Sequence, residues 1–320
     1  MKNLELLRGK RVLIVASTGG HLTQAVKWFK RLGFAPDSMF VTFDSAQSRS
    51  LLRDLPHYYV PYVAPRDYRS LLLATFKMLS RESGRDYEAI VSTGAGLALA
   101  CLPISWVKRK KFYYIESVSR FQGPSLTGRI IERIPGVRRF TQHAGYASPK
   151  WRLAESLLTS YRAESKESTA PEDRPLRIFV SLGTIKPYRF DRIIDGLRPA
   201  ISPMDQVVWQ VGDTTRDDLP GEVFSHVDAE DFADHSSNAD VVVTHAGVGT
   251  LMALLDAGKK PLVMARRAEH DEHVDDHQLQ VTEKLDSLGL ISSFSDTVSR
   301  DTLLELANSH IVSSDHNEQR

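Results

Sequence analysis

Cysteine is nearly absent from this chain of 320 residues, in which Cys101 is the single example. A lone thiol excludes an internal disulfide framework and any zinc site built from several cysteines, and it fits a reducing compartment. Long apolar runs are also missing, since none approaches the ~18–20 residues that a membrane-spanning helix requires. The N-terminal segment is polar and charged, so no secretory signal is expected. We therefore expect a cytoplasmic protein without a membrane-spanning segment.

Two familiar phosphate-binding patterns are absent as well. The chain has no G-x-x-x-x-G-K-[ST] segment, which argues against a P-loop nucleotidase. No G-x-G-x-x-G follows its first predicted strand, which argues against a redox dinucleotide.

Charge is unevenly divided between the two halves. Residues 1–150 hold 24 Lys and Arg against 10 Asp and Glu, whereas residues 151–320 hold 17 against 30. Such halves either attract each other or bind different partners. A basic half suits nucleic acid, an anionic membrane or a polyanionic ligand.

Strand-like and helix-like segments alternate along the chain, which predicts an α/β protein with parallel, doubly wound sheets. Residues 160–175 are polar and contain proline, so they suggest a break between two Rossmann-like halves. We predict a domain over residues 1–160, a linker over 161–175 and a second domain over 176–320, with an interdomain cleft. Ligands of such sheets bind beyond the carboxyl ends of the strands, where the glycine turns of this chain fall.

The turn at residues 245–250 is the clearest sign of a ligand. Between an apolar strand and an apolar helix the chain reads His245, Ala246, Gly247, Val248, Gly249 and Thr250. Glycine lets the backbone approach a ligand closely, and a helix N-terminus directs N–H groups at anions. A phosphate or diphosphate is expected there; the alternative is a plain strand–helix turn.

A dense polar cluster follows further along the chain, and it contains Glu272, His273, Asp276, His277 and Gln278. After a diphosphate site, this cluster suits the hydroxyls of a nucleotide-linked sugar, with Asp276 and Gln278 as the hydroxyl-binding residues. The alternative is a solvated acidic face. His273, Asp276 and His277 also have metal-ligand spacing, but we expect neither a metal nor a cofactor.

The first half offers a candidate catalytic base. Gly19 and Gly20 precede His21 at the start of a predicted helix. The near-neutral pKa of histidine suits removal of a hydroxyl proton. The alternative is a helix-start histidine bonded to the backbone.

A second glycine turn and the end of the next strand supply further candidates. They are Thr93, Gly94, Gly96, Glu116, Ser117 and Arg120. The small residues suit either a phosphate cradle or a mere strand–helix connection. Glu116 and Arg120 suit either an ion pair or an acceptor contact, and Glu116 is the second candidate for the base.

Residues 97–107 are apolar and are followed by Lys108, Arg109, Lys110 and Lys111. We predict that this segment lies on an anionic membrane surface, with lipid phosphates at its basic end. A buried helix with a solvated basic end is the alternative. The segments around Trp28 and at residues 71–77 are further candidates of the same kind.

Several motifs together resemble a known enzyme family. They lie at residues 19–21, 92–96, 116–120, 180–184, 210–212, 245–250 and 272–278. The second half resembles the catalytic subunit, and the first half the membrane-recruiting subunit, of the two-part transferase that adds the second N-acetylglucosamine to dolichol diphosphate. Glucuronosyl- and galactosyltransferase pairs of bacterial exopolysaccharide clusters are similar. The chain thus resembles both subunits of a family 28-like glycosyltransferase fused in one polypeptide.

The resemblance implies a GT-B fold and an inverting, metal-independent transfer from a UDP-sugar to a polyprenyl-diphosphate-linked saccharide. It implies donor contacts at Gly183, Thr184, Gly212, His245, Ala246, Gly247, Gly249, Thr250, Arg266, Glu272, His273, Asp276, His277 and Gln278. It implies acceptor contacts at Gly19, Gly20, Thr93, Gly94, Gly96, Ser117 and Arg120. Related enzymes place a glutamate near the ribose where this chain has Ala253, so the ribose must be bound by other groups.

We therefore predict an exopolysaccharide or capsule glycosyltransferase on the inner face of the cell membrane. Its partners would be a UDP-sugar, the lipid-linked acceptor and anionic lipid, without nucleic acid. Arg266 and Arg267 suit a uronate carboxylate, which favours glucuronic acid as the donor sugar. Galactose and N-acetylglucosamine are alternatives. A UDP-sugar epimerase and a non-catalytic nucleotide-sugar-binding partner are the competing classes.

Overall fold

The computed structural model describes residues 2–64, 67–82, 84–165, 174–274 and 276–314. Its contacts divide the chain into two compact units, Met1–Thr159 and Ser160–Arg320. Each unit contains one large sheet whose strands all run parallel.

Unit 1 has a seven-stranded sheet in the order β3-β2-β1-β4-β5-β6-β7. Its helices and strands, in chain order, are α1 (Lys2–Glu5), β1 (Val12–Ala16), α2 (Gly20–Leu32), β2 (Met39–Phe43), α3 (Ala46–Leu51), β3 (His57–Val60), α4 (Tyr68–Glu82), β4 (Ala89–Gly94), α5 (Cys101–Val107), β5 (Lys111–Ile115), α6 (Leu126–Glu132), β6 (Arg138–Thr141) and β7 (Arg152–Leu153). Short 3-10 helices lie at Gly96–Ala100, Ala144–Tyr146 and Leu157–Ser160.

Unit 2 has a six-stranded sheet in the order β11-β10-β9-β12-β13-β14 and an antiparallel pair, β8 with β15. Its helices and strands are β8 (Tyr161–Ser165), β9 (Arg177–Ser181), α7 (Asp191–Leu197), β10 (Gln206–Gln210), β11 (Glu222–Phe224), α8 (Ala229–Asn238), β12 (Val241–His245), α9 (Val248–Asp256), β13 (Leu262–Met264), α10 (His277–Ser287), β14 (Ser292–Ser293), α11 (Arg300–Ala307) and β15 (Ser309–Ser313). Short 3-10 helices lie at Arg198–Ala200 and Ala268–His270.

The central strands are apolar on both faces. Every residue of β1 and β4 is buried, and so are Ile178 to Ser181 of β9. A parallel sheet covered by helices on both sides requires such continuous apolar strands. The prediction of an α/β chain with two Rossmann-like, doubly wound domains is confirmed.

Strand order fixes where a ligand can bind in each unit. The order reverses between β1 and β4 in unit 1 and between β9 and β12 in unit 2. Ligands of open parallel sheets bind beyond the carboxyl ends of the strands at such a reversal. The turns that follow these four strands are therefore the places where each unit would hold its ligand.

Two predicted segments differ from the structure. Tyr161–Ser165, predicted as the start of a linker, forms β8 and pairs with β15; residues 166–173 lie outside the described part of the chain. Polarity does not distinguish a half-buried two-stranded ladder from a linker. The apolar segment at residues 97–107 is mostly core, with Leu97, Cys101 and Ile104 buried, so these three side chains do not face a membrane.

Glu82, the last residue of α4, gives a prediction about stability. It is fully buried near Tyr58 and Tyr87, and burial raises its pKa above the ordinary value of 4.5. For an acid, a raised pKa in the folded state means that folding favours the protonated form. Ionisation of Glu82 therefore lowers the free energy of unfolding. This destabilisation is absent at low pH and grows as the pH rises through 4.5.

Replacing Glu82 with Gln should stabilise the protein at about pH 7.5 by on the order of 1 kcal/mol and have little effect near pH 4. Urea unfolding at the two pH values measures this difference. The matched control is Glu88→Gln, because Glu88 is exposed and pairs with Lys10 at 2.7 Å. Equal effects of Glu82→Gln at both pH values would rule the explanation out.

Candidate active site

A cavity of about 340 Å³ lies at the sheet reversal of unit 2. It is lined by Thr184, Ile185, His245, Ala246, Gly247, Val248, His273 and Gln278. The first two follow β9, and the next four join β12 to α9. The turn with the strongest sequence signal therefore faces a cavity rather than the interior of the sheet.

The N-terminus of α9 opens onto this cavity. Gly247 is the N-cap, and no side chain caps the helix there. The first intrahelical bond runs from Leu251 N to Gly247 O at 2.9 Å, so the N–H groups of Val248, Gly249 and Thr250 precede it. Such N–H groups and the positive end of the helix dipole attract an anion.

The His245 ring explains two of the glycines. A Cβ atom on Gly183 would lie 2.8 Å from His245 Cε1, and one on Gly247 would lie 2.3 Å from His245 Nε2. Glycine at both positions therefore leaves room for the imidazole ring. A larger side chain at Gly247 would displace His245 before that side chain could contact a ligand. Burial, helped by the charge of Arg266, lowers the pKa of His245 to about 4. The ring is neutral at pH 7.

Gly212 also has a structural role. Its φ is +61°, and a Cβ atom there would lie 2.3 Å from Gly183 O. Gly212 therefore supports the turn that carries Gly183 and Thr184. Only Thr184 of these three lines the cavity.

Arg266, which is predicted to bind the donor, does not line the cavity. It is 1% exposed, donates to the carbonyl oxygens of Leu182 at 2.7 Å and Glu272 at 2.9 Å, and lies over the Phe190 ring. The guanidinium thus holds the loops around the cavity together. Burial lowers its pKa to about 10, so the group stays charged at pH 7 and acts on the cavity only through its field.

Glu272 and Asp276 also bind protein rather than facing the cavity. Glu272 is 4% exposed and accepts two hydrogen bonds from Arg192, at 2.8 and 3.1 Å. Asp276 is exposed, and its Oδ1 accepts the N–H of Ala268 at 2.8 Å. Bonds from these two carboxylates stabilise the loop between β13 and α10, and neither residue lines the cavity.

The other residues considered for donor contacts have different surroundings. His273 and Gln278 line the cavity, and Gln278 Oε1 accepts the Arg266 N–H at 3.2 Å. The His277 side chain lies outside what the structure describes. Ala253 is exposed on α9, and its methyl group offers no polar contact to a ribose.

His21 of unit 1 is fixed by a specific hydrogen bond. Its Nδ1 lies 2.7 Å from Thr93 O, and the Thr93 hydroxyl donates to His21 O at 2.7 Å. A carbonyl oxygen can only accept, so Nδ1 carries the proton and Nε2 of the neutral ring has a free lone pair. Burial lowers the pKa of His21 below 6.5; Arg120 lowers it further, while the bond to Thr93 and the charge of Glu116 oppose this. The ring is thus neutral at pH 7 and held in one orientation.

The second glycine turn of unit 1 packs against the His21 ring. Gly94 has φ +102°, and a Cβ atom there would lie 3.0 Å from the His21 ring. Gly19 N donates to Gln47 Oε1 at 2.6 Å, so that donor is already used. The predicted acceptor contact of Thr93 is corrected, because both its oxygens bind His21. Gly20 begins α2, and Gly96 begins the following 3-10 helix.

Glu116 is not placed as a catalytic base. It is fully buried and accepts hydrogen bonds from Ser117 N, Tyr114 Oη, Ser125 N and Ser125 Oγ. Ser117 is buried too, and its Oγ accepts Gln24 Nε2 at 3.0 Å. Among the described residues no ion pair joins Glu116 to Arg120, so that alternative is wrong.

Arg120 therefore differs from its neighbours in the motif. It is half-buried, and its charge acts on His21. Sequence reasoning missed Gln24, Tyr114 and Ser125, which organise this region, and Arg192, which binds Glu272 in unit 2. Ser125 had a usable signal, because it precedes α6 and caps it through a bond from Gly128 N.

Comparison with known proteins supports one enzyme class. Residues 187–304 match the Glycosyltransferase family 28 C-terminal domain. This stretch includes all the lining residues of the cavity from His245 onward. No curated protein sequence matches the chain.

Similar solved structures span nearly the whole chain. MurG of Acinetobacter baumannii is 16% identical with a TM-score of 0.55, covering 93% of each chain. The glycosyltransferase of kitacinnamycin is 16% identical with a TM-score of 0.56, covering 94% of this chain and 91% of its own. The spinosyn rhamnosyltransferase SpnG, complexed with thymidine diphosphate, is 12% identical with a TM-score of 0.51, covering 93% and 90%. The fold is GT-B, and the family match and the fold together support a glycosyltransferase.

Proposed function

We propose that this protein transfers a sugar from a UDP-sugar to a polyprenyl-diphosphate-linked saccharide with inversion at the anomeric carbon. The observation that carries the proposal is the uncapped N-terminus of α9, which opens onto the cavity within the segment that matches family 28. The structure of SpnG with thymidine diphosphate supports a nucleoside diphosphate as ligand. The lipid-linked acceptor rests on the resemblance of the sequence motifs to the dolichol-diphosphate transferase.

The donor diphosphate would accept hydrogen bonds from the first N–H groups of α9. Its negative charge increases as the bond to the sugar breaks, so the helix N-terminus binds the transition state more strongly than the ground state. His245 is neutral at pH 7, so it adds no charge next to this anion. The charge of buried Arg266 adds to the positive potential.

His21 would act as the base. An acceptor hydroxyl oxygen attacks the anomeric carbon, the bond from that carbon to the UDP oxygen breaks, and the hydroxyl proton moves to His21 Nε2. The bond from Nδ1 to Thr93 O orients the ring and stabilises the imidazolium that forms. No covalent enzyme intermediate is needed for an inverting displacement.

The side chains that line the cavity do not favour one donor sugar. The preference for glucuronic acid rests on Arg266 and Arg267, but Arg266 is buried against backbone carbonyls and Arg267 pairs with Glu269 at 2.9 Å. Thr184, His273 and Gln278 line the cavity and suit neutral sugar hydroxyls. We therefore propose UDP-glucuronic acid, UDP-galactose and UDP-N-acetylglucosamine as donors to be compared, without preference among them.

The test is release of UDP from each of these donors, with and without a glycosyl-diphosphate-polyprenol. We expect release that depends on the lipid acceptor and is fast with one donor. Conversion of the donor without acceptor would favour an epimerase. Binding without any turnover would favour a non-catalytic partner protein.

Peripheral attachment to an anionic membrane is part of the proposal, on a different surface from residues 97–111. Tyr68, Leu72, Leu73 and Phe76 of α4 are between 58% and 69% exposed. Arg69 and Lys77 are exposed on the same helix, whose other face packs on the core through Ala74 and Met78. An amphipathic contact with anionic lipid uses this combination of apolar and basic side chains.

The basic residues 108–111, the first candidate for lipid contact, are partly bonded to other residues of unit 1. Lys110 pairs with Asp86 at 2.7 Å, and Lys108 Nζ donates to Arg85 O at 3.4 Å. Trp106 and Val107, at the end of α5, are the exposed apolar residues of that segment. Across the described ranges, every helix falls short of the length and apolarity that a bilayer crossing demands.

The double variant Leu73→Ser and Phe76→Ser should weaken binding to phosphatidylglycerol-containing vesicles by about tenfold or more, because two large apolar side chains lose their burial in lipid. Co-sedimentation at physiological salt measures it. Met204→Ser is the matched control, since Met204 is 70% exposed in unit 2. Vesicle binding of the double variant equal to that of the control would show that α4 is not the lipid contact.

A further inference from the structure

Glu116 joins the two ends of one loop. The loop comprises residues 117–125, between β5 and α6. Glu116 Oε1 accepts Ser117 N at 3.1 Å, and Glu116 Oε2 accepts Ser125 N at 2.9 Å and Ser125 Oγ at 3.0 Å. One fully buried carboxylate thus closes the loop at its first and last residues.

The surroundings of Glu116 leave it little freedom. Tyr114 Oη donates to Oε1 at 3.2 Å, so every partner is a donor, which is the set that an ionised carboxylate accepts. A Cβ atom on Gly128 would lie 2.3 Å from Oε2, so glycine is needed where α6 passes the carboxylate. The group has no open side for an acceptor hydroxyl.

The loop is also tied to the helix that begins next to His21. Gln24, on α2, accepts Val118 N at its Oε1 at 2.8 Å and donates from its Nε2 to Ser117 Oγ at 3.0 Å. Arg120 N bonds Ser117 O at 3.0 Å, which forms the turn that carries the guanidinium. The charges that act on His21 come from Glu116 and Arg120, and the Tyr114 hydroxyl lies against the same glycine as the His21 ring.

We propose that Glu116 is a positioning residue, which closes residues 117–125 at both ends and thereby fixes the turn that carries Arg120, for contact with the anionic part of a lipid-diphosphate acceptor. The ligand named here rests on the proposed function. The positioning itself is a property of unit 1 alone, so it can be measured on the free protein.

Two substitutions separate position from charge. Glu116→Gln keeps the shape but puts an NH2 group against donors at one end of the loop and removes the negative charge. Glu116→Asp keeps the charge but is too short to reach both ends. Both should increase amide hydrogen exchange at Ser117 and Ser125, and both should raise the acceptor KM by about tenfold or more, the value of one charge-assisted hydrogen bond.

Of the two substitutions, only Glu116→Gln, which removes the charge, should change the pKa of His21. The negative charge of Glu116 raises the pKa of His21, so Glu116→Gln should lower that pKa in an NMR titration, whereas Glu116→Asp should leave it close to the wild-type value. The control is Glu132→Gln, because Glu132 bonds Trp151 and Lys150 rather than the loop. It should leave exchange at Ser117 and Ser125, the His21 pKa and the acceptor KM unchanged.

The measurements separate a failure of the positioning role of Glu116 from a failure of the proposed sugar transfer. Faster exchange at Ser117 and Ser125 in both variants supports the positioning role even if the wild type transfers no sugar. Wild-type exchange rates and an unchanged acceptor KM in folded Glu116 variants would overturn it. If either variant fails to fold, Tyr114→Phe removes one bond to Oε1 without changing the charge, and unchanged exchange at Ser117 in that variant would likewise overturn it.

Discussion

Replacing His21 with alanine should lower turnover by roughly 10²–10⁴-fold, the usual contribution of a positioned acid–base group. The structure gives the reason, because the Thr93 carbonyl fixes the tautomer in which Nε2 can take a proton. UDP affinity should be nearly unchanged, since the cavity is lined entirely by residues of unit 2. Single-turnover kinetics with saturating donor would measure the loss.

His57→Ala is the matched control for this variant. His57 is half-buried in unit 1, and its Nδ1 also bonds a backbone carbonyl, that of Leu55 at 2.8 Å. Turnover of the control should stay within about twofold of the wild type, the scatter expected for a substitution away from the chemistry. The wild type should also keep kcat/KM at lower pH than a free imidazole would, because burial lowers the pKa of His21 below 6.5. A His21→Ala variant that turns over like the control would exclude His21 as the base.

Replacing Val248 with aspartate should reduce UDP affinity by at least about 100-fold. Val248 is the first residue of α9 and lines the cavity. A carboxylate there would occupy the anion position and repel the diphosphate, and two unit charges about 5 Å apart at an effective dielectric near 20 interact by ~3 kcal/mol. The same carboxylate is favourable at a helix N-terminus, by about 0.3–1 kcal/mol, so the domain should remain folded.

Val248→Asn separates charge from shape. The asparagine side chain matches aspartate in size but is neutral, so UDP affinity should fall far less. Calorimetric titration of UDP into both variants gives the comparison. A substitution at Gly247 would not separate charge from shape, because any Cβ atom there collides with the His245 ring. Similar affinities of the two variants would show that the diphosphate does not bind at the start of α9.

The sequence was most informative where backbone geometry alone makes a site. The turn at residues 245–250 could be read because an apolar strand, glycines and an apolar helix leave few other arrangements. The alternation of strands and helices predicted both sheets for the same reason. Neither inference depended on where a long side chain points.

Side-chain direction could not be predicted from the sequence. Arg266 and Glu272 look like ligand-binding groups, yet both are buried and satisfied by neighbouring loops. Glu116 looks like a base, yet its four donors come from residues up to nine positions away in the chain. Such partners are set by loop packing. Likewise, the exposed apolar face of α4 became visible only when the opposite face was seen to pack on the core.

The central claim is sugar transfer to a lipid diphosphate, and the mass of the lipid product tests it most directly. A glycosyl-diphosphate-polyprenol is incubated with protein and each UDP-sugar, and the lipid is analysed by mass spectrometry and by NMR of the new glycosidic bond. The account predicts a gain of one sugar residue from one donor, with the anomeric configuration inverted, and loss of this product in the Val248→Asp and His21→Ala variants. An unmodified lipid with every donor, while the protein still binds UDP, would contradict it.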